Sequence, residues 1–203
     1  MNLWLGKRKG SPEEFWDWFG KHESEVRASA GKPDVIQRIT KELERVNQNL
    51  VFEIGLDRAA NEWQFIVSAD GVREHIPAVL EMVSLAPQVP GWRILAFRQP
   101  SDLTGVVLEV DGTQLALDSI TCQFAETSDG GVVIRLYIPV PKSMRQRDVD
   151  RIGFLALDSA IGEYEVMAQF VGYEFLATTP EEQRGNSISS LRETLNLTEE
   201  KQS

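Results

Sequence analysis

From Leu50 onward, apolar and polar positions alternate, pass into a helical spacing, and alternate again; the same succession returns after Ile120. Leu50, Phe52 and Ile54 share one parity, as do Trp63, Phe65 and Val67, and period two predicts two strands around a loop at Gly55–Asn61. Ile76, Val79, Leu80, Val83 and Ala86 then recur at helical spacing. Pro77 fits only a first turn, so the helix begins near Arg73 and ends before Pro87 and Pro90. Trp92–Phe97 resumes extended structure. In the second succession Ile120, Cys122 and Phe124 alternate up to Asp129-Gly130-Gly131, and Val132–Ile138 returns. An apolar helix follows over Gln146–Ala160, with Gly162 as its C-terminal cap. Its small residues Gly153, Ala156 and Ala160 predict a close approach by another backbone, and its nearly all-round apolar character predicts a central, buried helix. A long strand from Glu163 through Phe170 closes the second unit, because Tyr164, Val166, Ala168 and Phe170 alternate. Side-chain identity between the units is negligible, so internal duplication and chance both account for the repeated order.

Two helices precede the first unit. Ser11, Pro12 and Glu14 form a capping signature, with Glu13 and Glu14 where the helix dipole favours anions. Phe15, Phe19, His22 and Val26 fall on one stripe at 100° per residue, flanked by Trp16 and Trp18. A hinge at Gly31-Lys32-Pro33 leads to a second helix whose Val35, Ile36, Ile39, Leu43 and Val46 share a face, which predicts an αα-hairpin. Between the repeated units, Val106–Val110 and Thr113–Leu117 flank Asp111-Gly112, the signature of a tight β-hairpin. The expected fold class is therefore α+β: an N-terminal helical hairpin, then two strand-strand-helix-strand units with an inserted β-hairpin. One domain is drawn over residues 1–178. Residues 179–203 turn to Glu, Gln, Ser, Asn and Thr and read as a flexible polar tail, in which Ile188, Leu191 and Leu195 keep a helical spacing.

Composition narrows the function classes. The chain has 203 residues, 42% of them hydrophobic, and a formal net charge of −10, which disfavours nucleic acid because phosphate binding needs a concentrated cationic face. Its one compact basic cluster is Lys7, Arg8 and Lys9, read as a solvated lead-in. No apolar run reaches the length of a membrane span, and the opening places apolar residues before basic ones, the reverse of a signal peptide. The single Cys122, set in an alternating strand, reads as a buried thiol. These features together predict a cytoplasmic location.

The motifs of nucleotide loops and nucleophile elbows are absent. Ser29-Ala30-Gly31-Lys32 matches Ser-x-x-Lys without its companion motifs, in a hinge. His22, His75 and Cys122 are too few for a nitrogen and sulfur metal site, so neither metal nor cofactor is expected. What chemistry the sequence offers lies near the end of the apolar helix, where Asp158, Glu163 and Glu165 could share a proton or bind a cation, with Arg98 as counter-charge. The structural alternative has Asp158 holding a turn, or pairing with Arg98 or Arg93. Phe15-Trp16-Asp17-Trp18-Phe19, Phe52-Glu53-Ile54-Gly55, Ala96-Phe97-Arg98 and the stretch from Leu157-Asp158 to Glu165 together resemble an uncharacterised family of soluble bacterial proteins, over most of Phe15 to Phe175. That resemblance implies a bacterial, cytoplasmic, single-domain protein and supplies no catalytic residues.

The leading expectation is a non-catalytic interaction protein: an inhibitor, an immunity-type protein or an adaptor. Trp16, Trp18, Phe19 and His22 would form its partner-binding patch, and the acidic charge favours a basic protein partner. The alternative is an enzyme or small-ligand protein using the Asp158 cluster. A homodimer burying the same aromatic face is a third.

Overall fold

The computed structural model describes residues 9–110 and 112–197. The chain divides into two compact units, one ending at Arg98 and the other beginning at Gln99, where the sequence reading drew a single domain.

The first unit opens with helix α1 (Pro12–Ala28). Ser11 caps it, its Oγ accepting the Glu14 backbone N–H at 3.3 Å. The Ser11 hydroxyl also reaches the Glu13 carboxylate and holds it below the usual range. Gly31, at φ +85°, makes the turn into α2 (Pro33–Val46), where Val35, Ile39, Leu43 and Val46 are buried as the spacing predicts. Strands β1 (Val51–Asp57), β2 (Glu62–Ser68) and β3 (Trp92–Ala96) form a sheet in that order. β1 and β2 are antiparallel; β3 returns parallel to β2 after helix α3 (Ile76–Ser84), which makes the crossover that a parallel pair requires.

The core of this unit is aromatic. Phe65 on β2 is fully buried, with the rings of Phe15, Trp16, Phe19 and Phe52 centred 5.0–5.8 Å away. Phe19 also meets Trp92 edge-on at 5.0 Å. Trp16 donates its indole N–H to the Met82 carbonyl at 2.7 Å, so the buried polar atom is satisfied and α1 is tied to α3.

The second unit begins with a two-stranded hairpin, β4 (Val107–Val110) and β5 (Thr113–Ala116), as the sequence predicts. Of its expected turn, Asp111 lies outside the described residues. A four-stranded sheet follows in the order β8-β7-β6-β9, from β6 (Thr121–Glu126), β7 (Val132–Ile138), β8 (Gly172–Ala177) and β9 (Asn186–Ser187). Helix α4 (Gln146–Ile161) packs on β7 and β8, and α5 (Glu163–Gln169) follows at once.

Three expectations are corrected here. The segment from Glu163 is a helix, and the closing strand comes later, at β8. The alternation of Tyr164, Val166 and Ala168 coexists with a helical spacing of Glu163, Val166, Met167 and Phe170, and it is this second set that is buried. Gly162, at φ +90°, breaks the chain direction between the two helices. Second, α4 is not buried all round: Phe154 and Leu155 are 40% and 43% exposed, while Ile152, Gly153, Ala156 and Leu157 face the core. The small-residue face admits a ring rather than a backbone, since a Cβ on Gly153 would stand 2.5 Å from the Phe175 ring.

Third, residues 179–197 are not an unpacked tail. β9 pairs antiparallel with the start of β6, and Ile188 and Leu191 are buried in the core of the unit. A short helix, α6 (Leu191–Thr194), carries Leu191, and Arg192 donates to the Ile161 carbonyl at 3.4 Å. Gly185 permits the docking: it has φ +84°, and a Cβ there would collide with the Cys122 carbonyl. The polar composition of the segment concealed two apolar anchors that complete an existing core. The expected tail beyond residue 197 lies outside the described residues.

Candidate functional site

Of the four residues assigned to a partner surface, the structure removes two. Trp16 is 2% exposed and Phe19 is fully buried. The stripe that looked wide enough to meet another chain is wide because α1 lies against aromatic side chains from β2 and β3. Trp18 and His22 stay on the outside of the helical hairpin, half-buried and one turn apart. Their rings stack with centroids 4.8 Å apart at 26°, and the His22 ring nitrogen Nδ1 hydrogen-bonds the Trp18 carbonyl at 2.7 Å. That bond makes Nδ1 the protonated nitrogen and fixes the ring. From α2, the Arg38 guanidinium lies 6.0 Å from the Trp18 ring centre, and it binds Glu25 on α1 at 2.6 Å. The Glu25 contact also raises the Arg38 pKa, so the side chain stays cationic. Glu13, Glu14, Asp17 and Glu25 are exposed on α1 against the single exposed cation Lys21. The result is an aromatic and cationic cluster set in an acidic field.

The three carboxylates of the expected cluster fall on two consecutive helices. Asp158 is in the last turn of α4, and Glu163 and Glu165 are in the first turn of α5. Glu163 is 1% exposed, so in this conformation it meets no solute from solvent. Glu165 accepts from Gln169 one turn on, at 3.0 Å. The Asp158 carbonyl accepts the Gly162 N–H at 2.8 Å, closing α4. Arg98, the expected counter-charge, closes the first unit and there pairs with Glu53 and, at 3.6 Å, with Asp70. Arg93 pairs with Asp57 at 3.2 Å. Among the described residues, no group of three His, Cys, Asp or Glu side chains could hold a metal ion.

Sequence reasoning missed a second feature of the first unit, at the carboxyl ends of β2 and β3. Phe97 has φ +66° and Asp70 has φ +50°, both rare for residues other than glycine. Phe97 is held there by its N–H, which donates to the Val67 carbonyl at 2.8 Å, and by burial to 4% exposure. Asp70 is held by its N–H to Ser68 Oγ at 2.9 Å. The Arg98–Glu53 pair ties β1 to the segment just past β3. Backbone strain leaves no residue-type signature when the residue is phenylalanine, so it was not legible in the sequence.

A groove of about 500 Å³ runs between α2 and β1, walled by Ile36, Thr40 and Leu43 on the helix and by Val51, Phe52 and Ile54 on the strand. It too went unpredicted, because periodicity marks which face is apolar and not where two apolar faces fail to close. Among the described residues, no helix is long and apolar enough to cross a membrane. No protein-family model matches this chain, and no curated protein is similar to it in sequence.

Proposed function

We propose that the protein works by binding another protein without catalysis, as an inhibitor, immunity-type protein or adaptor, and that Trp18 is the centre of its contact surface. The observation that carries this reading is Trp18 itself, kept out of the core of its own helix while every other aromatic residue of α1 is buried. Tryptophan and arginine dominate the energetics of protein interfaces because each offers a large, stiff contact area with a polar handle. His22 and Arg38 hold the Trp18 ring in place, so little side-chain entropy is lost when a partner covers it. The acidic residues around it complement a basic partner and would speed encounter more than they tighten the complex.

The test is quantitative recovery of partners on wild-type protein and on the Trp18→Ala and Arg38→Ala variants, with thermal unfolding measured in parallel. Recovery of a specific partner should fall about tenfold or more with Trp18→Ala while the fold is retained. Equal recovery on wild type and both variants would sink the proposal. A loss seen only with a buried substitution such as Phe19→Ala would reduce it to a folding effect.

A further inference from the structure

We propose that the outer edge of β1 and the groove beside it take an extended segment of another protein, bound as an added antiparallel strand. The proposal concerns other residues than the Trp18 surface and does not rest on it. It starts from which backbone groups β1 turns outward. The Trp63 N–H donates to the Gly91 carbonyl at 3.1 Å, and the Val67 carbonyl accepts the Phe97 N–H at 2.8 Å, so the odd-numbered residues of β2 face β3. The even-numbered ones then face β1, and the register sets Ser68, Ile66 and Gln64 opposite Val51, Glu53 and Gly55. Phe52 and Ile54 therefore point their N–H and C=O groups away from β2, and among the described residues β1 pairs with no other strand. Both residues also line the groove, across from Ile36, Thr40 and Leu43. One edge thus offers hydrogen bonds and side-chain room together, the combination that strand addition uses.

The second unit shows what fits such an edge. Its Ile138 carbonyl accepts from Thr178 as Val67 does from Phe97, and counting back through the two registers matches Ile54 with Cys122 and Phe52 with Ile120. There the outward groups are used within the unit. β9 runs antiparallel with Asn186 opposite Cys122, and the N–H of the fully buried Ile188 donates to the Ile120 carbonyl at 3.0 Å. Charge selects the occupant of the β1 edge. The charged residues lining the groove, Glu44 and Glu53, are both acidic, and a second copy would bring the same two to the seam with its own net charge of −10. A segment with apolar residues at alternate positions suits the groove walls, and a lysine or arginine suits Glu44 and the C-terminal end of α2. Glu44 lies where α2 turns back into β1, so a segment antiparallel to β1 carries that cation on its C-terminal side.

The experiment pans a display library of random peptides on the full chain, then follows amide exchange by NMR with the strongest peptide added. Selected peptides should be apolar at alternate positions and basic on the C-terminal side. Without peptide, the Phe52 and Ile54 amides should exchange early, and those of Glu53 and Gly55, bonded to β2, late. With peptide, the Phe52 and Ile54 amides should slow about tenfold or more. Thr40→Arg fills the groove, and Ile54→Pro removes an edge N–H without taking a bond from β2; each should weaken binding about tenfold. Trp18→Ala should leave binding unchanged. Phe52 and Ile54 amides that are already slow without peptide would show a covered edge and overturn the proposal, as would a library that yields no binder. A peptide that binds folded Thr40→Arg as well as wild type overturns it even where Ile54→Pro does not fold. One that is lost with Trp18→Ala belongs to that surface and counts against the proposal equally. Slowing that depends on protein concentration, alongside a doubled mass, places a second copy on the edge and overturns the choice of a foreign segment.

Discussion

The two units share a three-strand topology and have different cores. In each, an antiparallel strand pair is followed by a helical crossover and a third strand parallel to the second. The equivalence extends to single bonds. Phe97 donates to Val67 at 2.8 Å just past β3, and Thr178 donates to Ile138 at 2.9 Å just past β8. Aligned on those bonds, core-facing Phe65 and Val67 match Leu136 and Ile138, while Ile94 and Ala96 match Phe175 and Ala177. On the opposite face the cross-strand pair Gln64 and Arg93 matches Arg135 and Glu174. Yet the first core is built from stacked and edge-on rings about Phe65, and the second mainly from leucine, isoleucine and valine. The parity of apolar positions is therefore enough to select this topology, and residue identity decides how each core is filled. The repeated order expected from the sequence is present as a shared topology.

Removing the hub of the aromatic core is the strongest way to test that difference. Phe65→Ala should cost about 4 kcal/mol, since large cavities in well-packed cores relax poorly. Urea unfolding measures the cost, and hydrogen exchange locates it. Protection should fall in β1–β3 and persist in β6–β8, whereas a uniform loss would show that the two units unfold as one. Leu191→Ala probes the second unit at the segment that its composition disguised. With Leu191 1% exposed, the expected loss is about 3 kcal/mol, with faster tryptic cleavage at Arg184. Unchanged stability would mean that residues 180–197 rest on the core without supporting it.

The smallest effect is a pH dependence confined to the second unit. Burial pushes the Cys122 thiol up to about 11 from 9.0. A raised folded-state pKa gives stability that is complete below the unfolded value and lost as pH rises through the folded one. The protein should therefore lose stability between pH 9 and 11, and Cys122→Ala should flatten that part of the profile. Wild type and variant with identical alkaline profiles would show that the thiol is not protected in the way its 3% exposure implies.

Of the four residues read as a partner-binding patch, Trp16 and Phe19 are buried and Trp18 and His22 are half-buried. Trp18 and His22 are on the surface where the proposal needs them, but nothing in the helical wheel separates Trp18 from Trp16. The two sit on opposite flanks of one stripe, and only the position of β2 and α3 decides which flank is covered. Asp158, Glu163 and Glu165 are neighbours in sequence, on the last turn of α4 and the first turn of α5. Their functional meaning depended on exposure, and Glu163 turned out to be buried.

Taken alone, the sequence determined what depends on local period and on backbone chemistry. The α+β class follows from it, as do the capped first helix, the helical hairpin, both strand pairs and both crossover helices. Each is set by residues within a few positions of one another, through side-chain spacing, glycine and proline geometry, or a capping hydroxyl. Tertiary structure decided whatever required knowing which surfaces meet. It turned Glu163–Gln169 into a helix, because the buried set there is the helical one. It drew residues 179–197 into the core, because two apolar side chains can anchor a polar segment once a surface exists to receive them. It also held Phe97 in a left-handed backbone conformation, which the surrounding packing and the Val67 carbonyl maintain against the residue's own preference.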